Sequence, residues 1–142
     1  MSIRETALAA LYARLATALA ARSPAPKVLR NETVPQRLPA GGLVVVRDGE
    51  TVEETPILSP LAWGVEHRAE VEVVATTGAL LDALLVDIAA AISGDLTLGG
   101  AVEWAHPGAP SFDDAETEGA AAARAASIPV TLFFTVAGSP LA

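Results

Sequence analysis

Cysteine is absent from the 142 residues of this chain. That excludes disulfides, thiol nucleophiles and thiolate-ligated zinc, and it leaves the redox compartment open. Aromatic residues make up only 4%, and positive charge is sparse, with 9 Lys and Arg against 17 Asp and Glu for a net charge of -8. Such a chain is expected to be soluble and self-repelling. It lacks the basic footprint of a nucleic-acid binder, so no direct sequence-specific nucleic-acid binding is expected. No apolar run approaches the ~20 residues of a membrane span, and no membrane partner is expected. The Ala/Leu-rich opening from Met1 to Ala21 is interrupted by Arg4, Glu5 and Arg14. It reads as an amphipathic helix rather than as a signal peptide.

What is present suits an ordinary folded domain. Hydrophobic residues make up 51% of the chain and charged residues 18%, too apolar for a disordered segment. The length fits one domain over residues 1–142, which would bury roughly 68–70% of its unfolded surface.

Ser2 followed by Glu5 forms a capping-box pattern. Leu8, Leu11, Leu15 and Leu19 then recur at helical spacing, and Pro24 and Pro26 stop the helix near Ser23. Lys27–Asn31 is a short candidate strand. Leu43–Arg47 is a second, and Asp48-Gly49 predicts a hairpin returning it into Glu50–Glu54. Pro56 and Pro60 predict an irregular connection.

Trp63–Thr76 alternates strictly. Trp63, Val65, His67, Ala69, Val71, Val73 and Ala75 form one face, while Gly64, Glu66, Arg68, Glu70, Glu72, Val74 and Thr76 form the other. Period two places the first set on the core and the second outward. Thr76 or Thr77 caps a second helix with an apolar face of Leu80, Leu81, Leu84, Leu85, Ile88 and Ile92. Asp82 is expected in its first turn, and Gly94 as a left-handed stop. A strand near Ala101–His106, a loop from Pro107 to about Glu118 and a last strand from about Ser127 to Ala137 complete the chain. The order is α+β: a single antiparallel or mixed sheet with two main helices on one face.

Nothing in the sequence assembles into catalytic or cofactor machinery. His67 falls on an apolar strand face, where a packed, hydrogen-bonded histidine is the plain reading. His106 ends a strand, and neither histidine has a triad-like context. The acidic run Asp113–Glu118 lacks the ligand order of a calcium loop, and Gly41-Gly42 and Gly99-Gly100 are turn glycines rather than phosphate cradles. No catalytic, cofactor-binding or metal residues are therefore expected. Glu66, Arg68, Glu70 and Glu72 share one outward strand face, which marks a candidate surface for self-association or a partner. Trp63 and Trp104 lie at strand ends, suited either to the core rim or to an interface anchor.

Four stretches, taken in order, resemble the tail-terminator (tail-completion, minor tail) proteins of tailed phages and gene-transfer-agent-type particles. They are Val28–Thr33 with Leu38–Gly42; Val46–Gly49; Leu58–Pro60 leading to Glu66–Val71; and Leu96–Val102. The resemblance implies a non-catalytic subunit without cofactors. It would form a ring, typically a hexamer, at the head-proximal end of the tail tube, stop tube polymerisation and meet the neck. The partners it implies are the chain itself, the tail tube protein and a head–tail connector or neck protein. The location it implies is the particle tail, and the bacterial cytoplasm during assembly. Another head–tail connector, neck or tube subunit, a monomeric small-ligand module and, least suited to these residues, a small enzyme are the alternatives.

Overall fold

The computed structural model describes residues 1–33, 37–115 and 123–141, with the backbone alone for Asp114 and Ala115. Two helices and six strands follow in the order α1 (Ile3–Leu19), β1 (Lys27–Arg30), β2 (Leu43–Leu58), β3 (Leu61–Ala75), α2 (Gly78–Ser93), β4 (Trp104–Pro107), β5 (Ser111–Ala115) and β6 (Ala123–Ala137). All six strands belong to one mixed sheet in the order β1-β2-β3-β6-β4, and β5 pairs with β6 beside β4. This is the α+β architecture expected from the sequence.

The α1 stripe of Leu8, Leu11, Leu15 and Leu19 is buried together with Leu81, Leu84, Ile88 and Ile92 of α2. Both helices cover the same sheet face, that of Val65, Ala69, Val71 and Val73 in β3 and of Val130, Leu132 and Phe134 in β6. Ser2 caps α1 by accepting a 3.1 Å bond from the Glu5 amide. The Glu5 carboxylate does not complete the reciprocal box but is taken by Arg30. At α2 the capping residue is Thr77, which accepts from the Leu80 amide at 3.1 Å. Asp82 lies just past the first turn of α2, which begins at Gly78. Gly94 ends α2 in right-handed geometry (φ -74°) rather than as a left-handed stop, and a further turn follows through the bond from the Asp95 amide to the Ile92 carbonyl.

β1 and β2 are parallel, with Lys27 beside Leu43 and Arg30 beside Val46. Parallel neighbours need a crossover of a dozen or so residues, and the stretch 31–42 is the return connection here.

The hairpin expected at Asp48-Gly49 is not there. β2 runs on through these two residues to Leu58, and the reversal comes at Ser59-Pro60, between the paired Leu58 and Leu61. Between the Arg47–Glu70 and Glu50–Arg68 pairs, Asp48 and Gly49 together oppose Ala69. The two are thus an extra residue in the ladder, a β-bulge. Gly49 has φ +68°, and a Cβ there would collide with the carbonyl oxygen of Arg68. A bulge and a two-residue turn both call for a glycine at positive φ, so the same dipeptide serves either. A second irregularity lies between Thr51 and Glu53. Pro56 is inside β2, opposite Trp63, where no strand among the described residues needs its missing N–H.

The stretch read as a loop from Pro107 contains β5, which pairs Ser111–Ala115 with Ala123–Ser127, so that β6 begins earlier than Ser127. Residues 116–122, which carry the rest of the acidic run, lie outside the described residues.

Candidate interaction surface

The alternation in β3 holds. Val65, His67, Ala69, Val71, Val73 and Ala75 are buried, whereas Arg68 is exposed and Glu66, Glu70 and Glu72 are half-buried. These four charged residues lie on the sheet face away from the helices. Their ladder partners in β6 are Phe133, Thr131, Pro129 and Ser127. In β2 they meet Glu53, Glu50, Arg47 and Val45.

The four residues do not form one equivalent row. Glu72 is paired with Arg47 at 3.2 Å, and Glu70 accepts a 2.8 Å bond from Ser127. Glu66 lines a depression of about 210 Å³ with Glu53, Glu103, Thr55, Gly64 and Phe133. Arg68 has no ion pair or side-chain hydrogen bond among the described residues. It faces a second, wider depression with Glu70, Ser111, Ser127, Pro129 and Thr131. This outer face thus presents an unengaged guanidinium between carboxylates that are partly engaged.

Trp104 and His106 project onto the same outer face, because their ladder partners are Phe133 and Thr131. Trp104 stacks on Phe133 at 5.0 Å between ring centroids and on His106 at 5.3 Å. The i, i+2 spacing of Trp104 and His106 was the available signal for this aromatic row. Of the two tryptophans, Trp63 is the rim residue, packed against the core with its indole N–H donating to the Gly138 carbonyl at 2.9 Å.

His67 and His106 lie on opposite faces of the sheet and cannot share a site. His67 is 3% exposed. Its Nε2 lies 2.5 Å from the Asp48 carbonyl oxygen and its Nδ1 3.1 Å from the Thr51 hydroxyl. A carbonyl only accepts, so Nε2 donates to it, while Nδ1 shares its hydrogen bond with a hydroxyl that can play either role. His67 is a satisfied structural residue whose bond fixes the bulge.

A second fastening meets the same bulge from the other side. Arg30 makes a bidentate pair with Glu5 at 2.7 and 2.8 Å, and its Nε reaches Asp48 at 3.1 Å. The hydrogen bond from Arg30 holds the Glu5 carboxyl below its ordinary range, and the same bond raises the Arg30 guanidinium further above its own. The start of α1, the end of β1 and the bulge of β2 are thereby joined at one point.

Beyond that point β2 runs on as the outer strand of the sheet, while its neighbour β3 stays paired with β6 as far as Ala62. β1 accompanies β2 only to Val46, so from Gly49 to Leu58 one edge of β2 has no strand partner among the described residues. This β2–β3 arm ends in apolar side chains, with Leu58 82% and Leu61 55% exposed. The sequence reading missed the arm because a turn at Asp48-Gly49 would have folded it away. The signal was present in Ile57-Leu58 and Leu61-Ala62-Trp63, apolar runs on either side of Ser59-Pro60.

No group of three or more His, Asp or Glu among the described residues is arranged to hold a metal ion. No helix among them is long and apolar enough to cross a membrane. No protein-family model and no curated protein matches the sequence.

Proposed function

We propose that this protein is a structural assembly subunit rather than an enzyme, working as a closed ring, of six copies, at the end of a phage-like tail tube. The observation that carries the reading is the arm. An unpaired strand edge and an apolar tip held out in water are a liability in a monomer and an asset in a subunit that packs on another chain. The outer sheet face supports it too. Arg68 is exposed without an internal partner among the described residues, and the Trp104, Phe133 and His106 row offers aromatic area of the kind that anchors interfaces. The likeness to tail-terminator proteins in four ordered stretches supplies the ring number and names the partners, a tail tube protein and a neck or connector protein. It also supplies the location, the tail of a phage-like particle.

A monomeric small-ligand module is the second reading. The 210 Å³ depression beside Phe133 favours it, but three glutamates at its rim suit a protein surface better than an apolar ligand pocket. The deciding experiment mixes the purified protein with its cognate tube protein and measures oligomer mass, tube length and co-sedimentation with tube ends. The reading expects shorter tubes and ring-sized mass on them. A protein that stays monomeric in that mixture and never co-sediments refutes it.

A further inference from the structure

Charge is segregated along this chain. Residues 1–30 hold five cations (Arg4, Arg14, Arg22, Lys27 and Arg30) and one anion, Glu5, for a net of +4, so the remaining residues carry -12 of the total of -8. The first thirty residues build α1 and β1, one lateral side of the molecule. The arm from Asp48 to Arg68 carries five anions (Asp48, Glu50, Glu53, Glu54 and Glu66) against Arg68 alone, a net of -4.

Some of this charge is settled internally. Arg30 holds Glu5 and Asp48, and Arg22 holds Asp87 at 2.5 Å. Counting Asp48 and Asp87 with the side they pair to, α1–β1 keeps +2 and the arm keeps -3. Opposite signs therefore persist on two successive stretches of one sheet edge, β1 beside the start of β2 and the arm beyond it. Lys27 is exposed at the start of β1, and Glu50 is exposed on the arm. The ladder register puts Lys27, Glu50 and Glu53 all on the face away from the helices.

We infer that the acidic arm of one copy docks against the basic α1–β1 side of a second copy. This rests on the self-association proposed above and adds which surfaces meet. The occupant is a second copy because the chain supplies both halves of the match. The arm brings an unpaired strand edge with negative charge, and β1 brings an edge strand with positive charge, so backbone pairing can join the two. The pairing also answers how chains of net charge -8 can approach, since opposite patches meet while the bulk of the negative charge stays apart. Reciprocal use of both patches by two copies gives a two-fold dimer, whereas their use by two different neighbours gives a head-to-tail contact that forms a ring where the rotation closes. The β4–β5 edge is a poorer site for the arm, because Glu103 and Asp113 make it acidic as well.

The absence of native cysteine allows a clean test. Ala25→Cys, exposed just before β1, and Thr55→Cys, exposed on the arm, are made separately in the full chain, mixed in equal amounts and oxidised mildly. Docking expects the mixed Ala25→Cys/Thr55→Cys product to exceed its statistical share. A statistical distribution of products, or an excess of Thr55→Cys pairs, overturns it. In parallel, Lys27→Glu and Glu53→Lys should each weaken association by about two- to fivefold, and the two together should recover it, as expected of a partly exposed ion pair. Failure of the double variant to recover also overturns the inference. The mass of the cross-linked species judges the ring separately. Reciprocal dimers that stop at two copies would support the docking and refute the ring, whereas closed species of more than two copies support both.

Discussion

Replacing Gly49 by alanine should test whether the bulge, rather than a turn, governs the path of β2. Gly49 has φ +68°, and Gly99 has φ +72°. The two therefore share the strain of placing an L residue in the left-handed region, about 1–2 kcal/mol, and share the opposing gain from a stiffer unfolded chain, about 0.4–1 kcal/mol. Their surroundings differ. A Cβ at Gly99 meets nothing within 4 Å, whereas one at Gly49 runs into the Arg68 carbonyl oxygen, lies 2.9 Å from its carbonyl carbon and 3.1 Å from the Ala69 Cα. Those atoms are backbone of the central strand β3 and cannot rotate away. Overpacking of this kind adds about 1–3 kcal/mol. Gly99→Ala should then cost up to about 1.5 kcal/mol, and Gly49→Ala about 1–3 kcal/mol more than that. Urea denaturation of the two variants beside the parent, read by far-ultraviolet circular dichroism, measures the difference at unchanged m-value. Equal costs for the two alanines would refute the bulge argument, since only the contact with β3 separates them.

Leu11, fully buried in α1, should cost about 2–5 kcal/mol when cut to alanine, whereas Val86→Ala on the exposed side of α2 should stay within about 0.5 kcal/mol in the same assay. The Glu5 carboxyl is lowered by its bond from Arg30, so its contribution is present above the unfolded-state pKa and is lost as pH falls through the folded one. Glu5→Gln should accordingly flatten the acid limb of stability against pH, and an unchanged acid limb would show that the pair contributes nothing. Arg68→Glu should change the unfolding free energy by less than about 0.5 kcal/mol while lowering assembled mass on tubes. The opposite ranking would remove Arg68 from the interface.

The parts of this fold that could be read from the sequence are those with a long, undisturbed period. The leucine stripe of α1, the apolar face of α2 and the alternation of β3 each repeat often enough that one face must be buried. The reading failed where one residue type serves two geometries. Gly49 is equally suited to a turn and to a bulge, and only the register against Ala69 distinguishes them. β5 went unseen because Ser111–Ala115 is polar apart from Phe112 and Ala115, and its pairing comes from β6 rather than from its own composition. For the surface, the outward face of Glu66, Arg68, Glu70 and Glu72 followed from alternation. Which of the four is engaged depends on Arg47 and Ser127, residues distant in sequence. The arm was hidden for the same reason as the bulge.

The place of β6 in the sheet bears on how the chain is made. It follows every other described strand in sequence, yet among the described strands it is the only neighbour of both β4 and β5 and the second neighbour of β3. While the ribosome has released the chain only as far as Ala115, the β2–β3 pair can form and α1 and α2 can pack, but β4 and β5 have nothing to join. The edge of β3 from Ala62 to Ala75 remains open. During that interval the growing chain displays a long edge of the kind that recruits foreign strands. Emergence of Ala123–Ala137 closes that edge and gathers β4 and β5 in the same event. Synthesis speed and chaperone cover over this last stretch should therefore govern the yield of native subunit.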